Sequence, residues 1–217
     1  MPELSKEELK IKNTIRFIEA AQELIDETGV ENVSIRKIAE RAGFHNSTIY
    51  LYFKDVNHLI QLASMRHFEE YSRSLAELST RDASPKENFT MIWTYFCQTV
   101  FKNPNLFYHF FFGKYSDNLT PIMKQYYDLF PDKKYTFSED IEEMFFGKNI
   151  QERCLKLLIP LIGTDGVRVT YDNLEIVNNI MVGYLKDVLD QKRQNQEMSS
   201  EELTEQTLEA LQYIVGY

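Results

Sequence analysis

The sequence has few of the features that mark secreted, metal-binding or membrane proteins. Its 217 residues include only two cysteines, Cys97 and Cys154, too few for a disulfide framework or a zinc site. The four histidines show no metal-ligand spacing with them, so we expect no metal and no cofactor. No stretch approaches the ~20 apolar residues of a membrane span, and the N-terminal segment lacks the apolar run of a secretory signal. These absences predict a cytoplasmic protein that makes no membrane contact.

Enzyme signatures are missing as well. The sequence contains no glycine-rich phosphate loop, no nucleophile elbow and no metal-binding helix motif. We therefore expect a protein that is not an enzyme, although a catalytic site assembled only by folding would leave no such motif. No strand pattern and no internal repeat is evident, whereas apolar residues at helical spacing recur along the chain. The predicted fold class is all-α.

Helix starts are visible as capping residues or as proline at the first helical position. The residues that give these signals are Ser5, Ser34, Asp55, Ser84, Asn103, Thr120, Ser138, Asn149 and Ser199. Long predicted helices lie between Ser5 and Gly29 and over about 55–79, 171–193 and 200–217. Gly163 to Gly166 predict a loop ahead of the last two.

A helix-turn-helix is predicted between Ser34 and Phe53. Ser34 caps a short helix that runs through Arg41, a tight turn follows at Gly43, and a second short helix begins near Asn46. Glycine adopts positive φ at no steric cost, which such a turn requires. The apolar residues expected to form a shared core are Leu24, Ile35, Ile38 and Ile49, and the small Ala39 should let the two helices cross closely. The second helix would present residues 45–48 to the major groove of DNA.

The charge distribution is compatible with this motif. The chain carries a net charge of −9, which taken alone argues against nucleic acid. Between residues 34 and 54, however, four basic side chains face one acidic side chain, which leaves a local charge of +3. These charged residues are Arg36, Lys37, Arg41 and Lys54 against Glu40. An acidic protein with a basic face can still dock on DNA, because association depends on the local field.

About 50 residues of this region resemble the N-terminal domain of the TetR (tetracycline-repressor) family. The matching elements are Ala20-Ala21, Gly29, Ser34, Ile38-Ala39, Ala42-Gly43, Thr48-Ile49-Tyr50, Tyr52-Phe53 and Leu59. The resemblance implies a three-helix DNA-binding domain at 1–54 and a larger helical effector-binding and dimerisation domain at 55–217. It also implies a homodimer on a roughly palindromic double-stranded operator, acting as a repressor that a small apolar or aromatic effector releases. The alternative is a helical ligand-binding or interaction protein with weakened DNA binding.

The resemblance assigns DNA contacts residue by residue. Ser34, Tyr50 and Tyr52 should contact the phosphate backbone, and Asn46, Ser47 and Thr48 should face base edges. Arg36, Lys37 and Lys54 are further candidates by charge and position, and His45 by its place at the head of the second helix. Three positions depart from the family pattern, which usually has serine at His45, glycine at Ser47 and lysine at Val56. The last change removes one expected phosphate contact.

Aromatic residues are concentrated between 89 and 146, where 18 of the chain's aromatic side chains occur. Two interpretations remain open at this point, a pocket for a flat or greasy effector and an ordinary apolar core. The candidate pocket walls are Trp93, Phe96, Phe110, Tyr126 and Tyr127, with Cys97, Gln98 and His109 as candidate polar groups.

The last two predicted helices carry apolar stripes at helical spacing. The resemblance implies that they form a four-helix bundle with a second subunit, and Gly183 would allow a close approach. Burial within their own domain is the alternative. The stripe residues are Leu174, Val177, Met181, Tyr184, Leu185, Val188, Leu203, Leu208, Leu211 and Val215.

Overall fold

All regular structure in the computed structural model, which describes residues 5–217, is helical. The predicted all-α class is therefore confirmed. The α-helices are α1 Lys6–Thr28, α2 Ile35–Ala42, α3 Val56–Ser64, α4 Glu69–Leu78, α5 Pro85–Lys102, α6 Pro104–Phe112, α7 Thr120–Leu129, α8 Glu139–Phe145, α9 Ile150–Leu158, α10 Leu174–Gln194 and α11 Ser200–Val215. Short 3-10 helices cover Val30–Asn32, Asn46–Leu51, Met65–Phe68, Pro131–Lys133 and Ile159–Leu161. Across residues 5–217, no helix has the length and apolar character needed to span a membrane.

The helices begin where the capping signals predict. Ser5 and Ser84 each form a reciprocal capping box, in which the serine hydroxyl accepts from a backbone N–H three residues on and a glutamate returns the bond. Those hydrogen bonds hold the pKa of Glu8 and Glu87 below the usual carboxyl value. Free N–H groups at the first turn are thereby satisfied, which fixes the start of α1 and of α5.

The predicted helix over 55–79 is wrong in its continuity. Asp55 caps its start as expected, since Oδ1 accepts from the His58 amide at 2.9 Å. α3 nevertheless ends at Ser64, a 3-10 turn follows, and α4 begins at Glu69. The Ser64 hydroxyl donates to the Ile60 carbonyl at 2.7 Å, a back-bond that competes with the helical ladder and bends helices.

Among the described residues, the first compact unit comprises 5–66 together with 121–134. α1 packs against α2 and α3, and Phe17 lies fully buried at its centre. The Phe17 ring centroid is 4.7 Å from that of Phe44, 5.4 Å from Tyr52 and 6.0 Å from Phe53. Of the predicted shared core, Leu24, Ile38 and Ile49 are buried and Ile35 is half-buried. Ala39 is also buried. One aromatic side chain of α1 therefore organises the helix-turn-helix.

The second compact unit comprises 67–120 and 135–217. α5 packs against α4 and α11, while α10 packs against α6, α9 and α11. Phe68 is fully buried among aromatic rings, with its centroid 5.1 Å from Phe107 and 4.9 Å from Phe110. Much of the aromatic density in the sequence is thus used to build this core.

The compact units do not coincide with the division proposed at residues 54 and 55. α3 belongs with the first unit, because Leu59 and Leu62 are fully buried and the helix packs against α1. Most of α7 also clusters with the first unit, although the sequence placed it in the larger domain. No feature of the sequence predicts that α7 clusters with the first unit.

Candidate functional site

The turn of the helix-turn-helix is a helix C-cap built on Gly43. Gly43 has φ +74° and ψ +35°, in the left-handed region, and the Phe44 amide donates to the Ala39 carbonyl at 2.8 Å. This is the Schellman arrangement, which satisfies the last carbonyls of a helix and reverses the chain. A Cβ at Gly43 would lie 3.0 Å from the Arg16 guanidinium. Glycine is therefore favoured here by the backbone conformation, whereas the exposed Arg16 side chain could shift to admit a Cβ.

The second helix of the motif is a 3-10 helix, Asn46–Leu51, which we call the recognition helix. Its amides bond three residues back, as from Thr48 to His45 at 2.9 Å. The His45 ring replaces the usual serine cap, because its Nδ1 accepts from the Ser47 amide at 3.4 Å and lies 2.9 Å from the Ser47 hydroxyl. Ile49 is fully buried and anchors this helix to the core.

The predicted DNA-contacting side chains differ in exposure. Tyr50 is 59% exposed, whereas Tyr52 is half-buried and its hydroxyl accepts a hydrogen bond from Asn13 Nδ2 at 2.9 Å. Tyr52 thus packs on Phe17 and ties α1 to the motif. Thr48 is half-buried as well. The remaining candidates are exposed: Ser34, Arg36, Lys37, His45, Asn46, Ser47 and Lys54.

Charges near the motif are partly neutralised. Arg41 forms ion pairs with Glu23 at 3.0 Å and Glu27 at 2.7 Å, which fasten α2 to α1. Hydrogen bonds from Arg41 hold the pKa of Glu27 below its usual value. Lys37 donates to the Asn32 carbonyl at 2.8 Å. Within residues 5–217, the exposed Arg36 side chain makes no hydrogen bond or ion pair and stays available. The sequence count of +3 therefore overstates the positive charge free to meet phosphate.

Arg16 is a basic side chain beside the turn that sequence reasoning missed. It is exposed, and its guanidinium lies 5.3 Å from the Phe44 ring centroid. The available signal was its place on α1 one residue before Phe17, but no local pattern joins α1 to a turn more than 25 residues later. Only the packing of Phe17 against Phe44 brings Arg16 to this place.

Two neighbouring cavities lie within the second compact unit. The small cavity, about 20 Å³, is lined by Tyr71, Ile92, Trp93, Phe96, Met144, Ile150, Arg153, Cys154 and Leu157. The large cavity, about 210 Å³, shares Ile92, Met144 and Leu157 with it, and its wall also includes Asn88, Asp140 and Lys156. Three apolar side chains are thus common to both walls.

Only two of the eight predicted pocket residues, Trp93 and Phe96, line the small cavity. Phe110 is buried against Phe68, and Gln98 is exposed on α5. The other four lie elsewhere: Cys97 is fully buried beside the cavity wall, His109 is half-buried on α6, and Tyr126 and Tyr127 belong to α7 of the first unit. Burial raises the pKa of the Cys97 thiol, so this group stays neutral.

The polar side chain of the small cavity that sequence reasoning missed is Arg153. It is only 2% exposed, and its Nη1 donates to the Phe145 carbonyl at 2.9 Å. The guanidinium carbon lies 5.4 Å from the ring centroids of Phe111 and Phe145. A signal existed, because Arg153 is three residues after Ile150 and four before Leu157, on the apolar face of α9.

The stripes on the last two helices are used mainly inside the protomer. Leu174, Tyr184 and Leu208 are half-buried; the other stripe residues are buried in the second unit: Val177, Met181, Leu185, Val188, Leu203, Leu211 and Val215. The exposed apolar residues of these helices are Ile176 at 64%, Ile180 at 50% and Tyr213 at 76%. Ile176, Ile180 and Gly183 share one face of α10 by their spacing.

Among the residues described, no group of three or more histidine, cysteine, aspartate or glutamate side chains is placed to hold a metal ion.

Comparisons with known proteins agree with this geometry. Residues 17–61 match the family model described as bacterial regulatory proteins, tetR family. An HTH-type transcriptional regulator of Staphylococcus aureus is 30% identical over 96 residues, which are 44% of this chain and 52% of that protein. The chain therefore spans about half the length of this curated relative.

Solved structures resemble the chain over nearly its full length. RolR, crystallised with resorcinol, has a TM-score of 0.62 at 19% identity and covers 97% of this chain and 91% of its own. FadR of Thermus thermophilus, a TetR family transcriptional repressor crystallised with lauroyl-CoA, has a TM-score of 0.58 at 15% identity, over 91% and 92%. The helix-turn-helix segment is thus similar to the tetR family of bacterial regulatory proteins, and the whole chain shares its fold with RolR and FadR.

Proposed function

We propose that the protein is a ligand-responsive transcriptional regulator that binds double-stranded DNA through its helix-turn-helix. The observation that carries this proposal is the exposure of the recognition helix. Its Asn46, Ser47 and Tyr50 side chains are exposed, while Ile49 is buried and anchors the helix in the core. A short helix that is anchored in the core on one face and exposed at its N-terminal end is the arrangement that reads base edges in a major groove. Bacterial DNA lies in the cytoplasm, which is where we place the protein.

The roles that we propose for the residues of the helix-turn-helix follow from the exposure of their side chains. Asn46 and Ser47 read base edges, Ser34 and Tyr50 contact phosphates, and Arg36 adds charge. Half-buried Tyr52 acts mainly by holding the motif to α1. His45 fixes the first turn of the recognition helix through Ser47, in place of the serine usual in the family.

The proposed regulator works as a homodimer. Two copies related by a twofold axis would place their recognition helices about one helical turn apart on DNA, on a roughly palindromic operator. Ile176, Ile180 and Tyr213 give α10 and α11 an exposed apolar face, which supports the pairing of subunits through these helices.

Small molecules are the proposed effectors, with repression as the mode of action. RolR and FadR were crystallised with resorcinol and lauroyl-CoA, and the cavities of this chain occupy the larger unit. An effector changes DNA affinity only through its different affinities for two states of the protein. A coupling of about 1–3 kcal/mol would weaken operator binding about 5- to 150-fold.

Selection from random double-stranded DNA, followed by fluorescence anisotropy, tests the proposal. We expect a roughly palindromic sequence to be enriched and bound in preference to a shuffled duplex. Asn46→Ala should weaken binding to the selected sequence about 5- to 150-fold, the effect of one base contact, and leave shuffled DNA little changed. Ser138→Ala serves as the control, because Ser138 is exposed and makes no side-chain capping bond in α8.

Equal affinity for selected and shuffled DNA, or no DNA binding at low salt, would contradict the proposal. That result would favour a helical ligand-binding protein that has lost DNA binding. The observations on its side are the ion-paired Arg41 and the valine at position 56.

A further inference from the structure

The polar groups of the small cavity are mostly hydrogen-bond donors. Trp93 lines it, and its indole N–H is buried without a hydrogen-bond partner. The Tyr71 hydroxyl donates to the Met144 sulfur at 3.9 Å, and sulfur is a weak acceptor. Arg153 adds a guanidinium, a group with five N–H donors and no acceptor; it donates to the Phe145 carbonyl and shares a hydrogen bond with the Tyr71 hydroxyl. A ligand that fits this wall must therefore supply acceptors.

The charge on the wall of the small cavity also favours a ligand with hydrogen-bond acceptors. None of the described residues that line the small cavity is acidic, and Arg153 is its one basic side chain. A guanidinium stays protonated at any physiological pH, and at 2% exposure water screens its field little. A ligand that brings a full negative charge is favoured here, whereas a cation is disfavoured.

The neighbouring large cavity supplies room for an apolar body. At about 20 Å³ the small cavity holds little more than one water molecule, so it fits only the polar end of a ligand. The large cavity offers about 210 Å³, and Phe89, Ile141 and Pro160 contribute apolar wall to it. Met144, shared by both cavities, is an unbranched side chain that adapts its conformation readily.

We propose that this pair of cavities binds a small apolar organic acid, whose carboxylate is held in the small cavity by Arg153 and Trp93. The apolar body of the acid lies toward the large cavity, past Met144 and Leu157. Planar guanidinium and carboxylate groups match geometrically and form charge-assisted hydrogen bonds. This inference rests on the proposed function, because it names the chemical class of the effector.

Three acids and their amides test the chemical class. The pairs are benzoate and benzamide, phenylacetate and phenylacetamide, and hexanoate and hexanamide, which keep shape while removing the charge. Trp93 is the single tryptophan of the chain, so its fluorescence reports binding at this cavity directly. We expect at least one acid to bind tenfold or more tightly than its own amide. No preference for any acid over its amide would overturn the proposal.

Variants locate the binding group. Arg153→Gln should abolish the preference for the acid, and Arg153→Lys should reduce it while restoring part of the affinity. Arg193→Lys is the matched control: Arg193 is a partly buried arginine of the same unit, stacks at 4.0 Å on Tyr108 and lines neither cavity. The preference for the acid over the amide should be unchanged in Arg193→Lys. If Arg193→Lys lost this preference as much as the Arg153 variants do, the result would count against Arg153.

A third variant tests the proposed binding of the carboxylate even if Arg153→Gln does not fold. Trp93→Phe keeps a ring in the wall and removes the N–H. Measured by calorimetry, it should weaken binding of the acid about 3- to 10-fold, the effect of one hydrogen bond, with a smaller effect on the amide. An unchanged affinity for the acid would contradict the assignment.

DNA binding without ligand separates this inference from the proposed function. A protein that binds the selected DNA but shows no acid preference would keep its function as a regulator and lose this effector class. A protein that prefers the acid but binds no DNA would keep the cavity assignment and lose the proposed function.

Discussion

At the scale of the residue, a charged side chain serves DNA binding only if it is not already paired. Arg41 and Arg36 are both part of the local surplus of positive charge in the sequence. Arg41 is committed to Glu23 and Glu27, whereas Arg36 is exposed and without a partner among the residues described. Exposed ion pairs stabilise a fold only slightly, so the principal effect of the Arg41 pairs is to neutralise a cation close to the proposed DNA-binding surface.

Substitution of Val56 directly tests the proposed contact between the protein and DNA phosphates. It is the half-buried first residue of α3, at a position where the family usually has lysine. Val56→Lys should steepen the dependence of log affinity on log salt by about 0.9 for each additional phosphate that the new lysine neutralises. Anisotropy titrations at several salt concentrations measure this slope. Ile159→Lys adds the same charge at an exposed site in the second unit, and a slope as steep as that of Val56→Lys would contradict a specific phosphate interaction.

At the scale of the element, the first unit is held together by segments that are distant in the sequence. His58 of α3 shares a side-chain hydrogen bond with Gln125 of α7, and the Lys54 amide donates to its Nδ1 at 3.4 Å. Burial, with Lys54 nearby, holds the pKa of His58 below the ordinary histidine value of 6.5, while Gln125 and Asp55 oppose that shift. The neutral imidazole is therefore the form that this packing of α3 requires.

This shift predicts a pH dependence of stability. The folded protein binds fewer protons at His58 than the unfolded chain does, so the stabilisation is present above pH ~6.5 and is lost as pH falls toward the folded pKa. Urea unfolding at pH 7.5 and pH 5.5 should show a decrease in the free energy of unfolding that is smaller in His58→Asn. Equal decreases in the two proteins would show that His58 does not carry the effect.

At the scale of the whole molecule, the proposed function depends on a second copy of the chain. The apolar face formed by Ile176, Ile180 and Gly183 is exposed in the protomer. No atom of the described residues lies within 4 Å of a Cβ built on Gly183, so a partner helix has room to approach there. An apolar patch of this kind on an otherwise charged surface is typical of an interaction site.

Ile180→Glu tests this face. A charge buried between two subunits without a partner is strongly unfavourable, so we expect the variant to be monomeric by light scattering at a micromolar concentration at which the wild type is dimeric. Its DNA affinity should fall as well, because two half-sites are no longer joined. Ile159→Glu, at another exposed isoleucine, should remain dimeric. A monomeric wild type would refute the homodimer.

The sequence by itself determined which segments are helical and where the helix-turn-helix lies. Capping serines, prolines at first helical positions and the glycine of the turn act within a few residues, so their consequences are visible in the linear pattern. Ser5, Ser84 and Asp55 begin helices for this reason, and Gly43 adopts the left-handed conformation that the tight turn requires.

Only the tertiary structure decided which face of each helix is buried and which polar groups meet. The apolar stripe of α10 was equally compatible with a subunit interface and with the protomer core, and packing against α6 and α9 places most of it in the core. Arg153 reaches the wall that contains Trp93 because α9 and α5 are brought to one cavity across 60 residues of sequence. Periodicity fixes the spacing of side chains along one helix, but the partner of each face depends on contacts between distant segments.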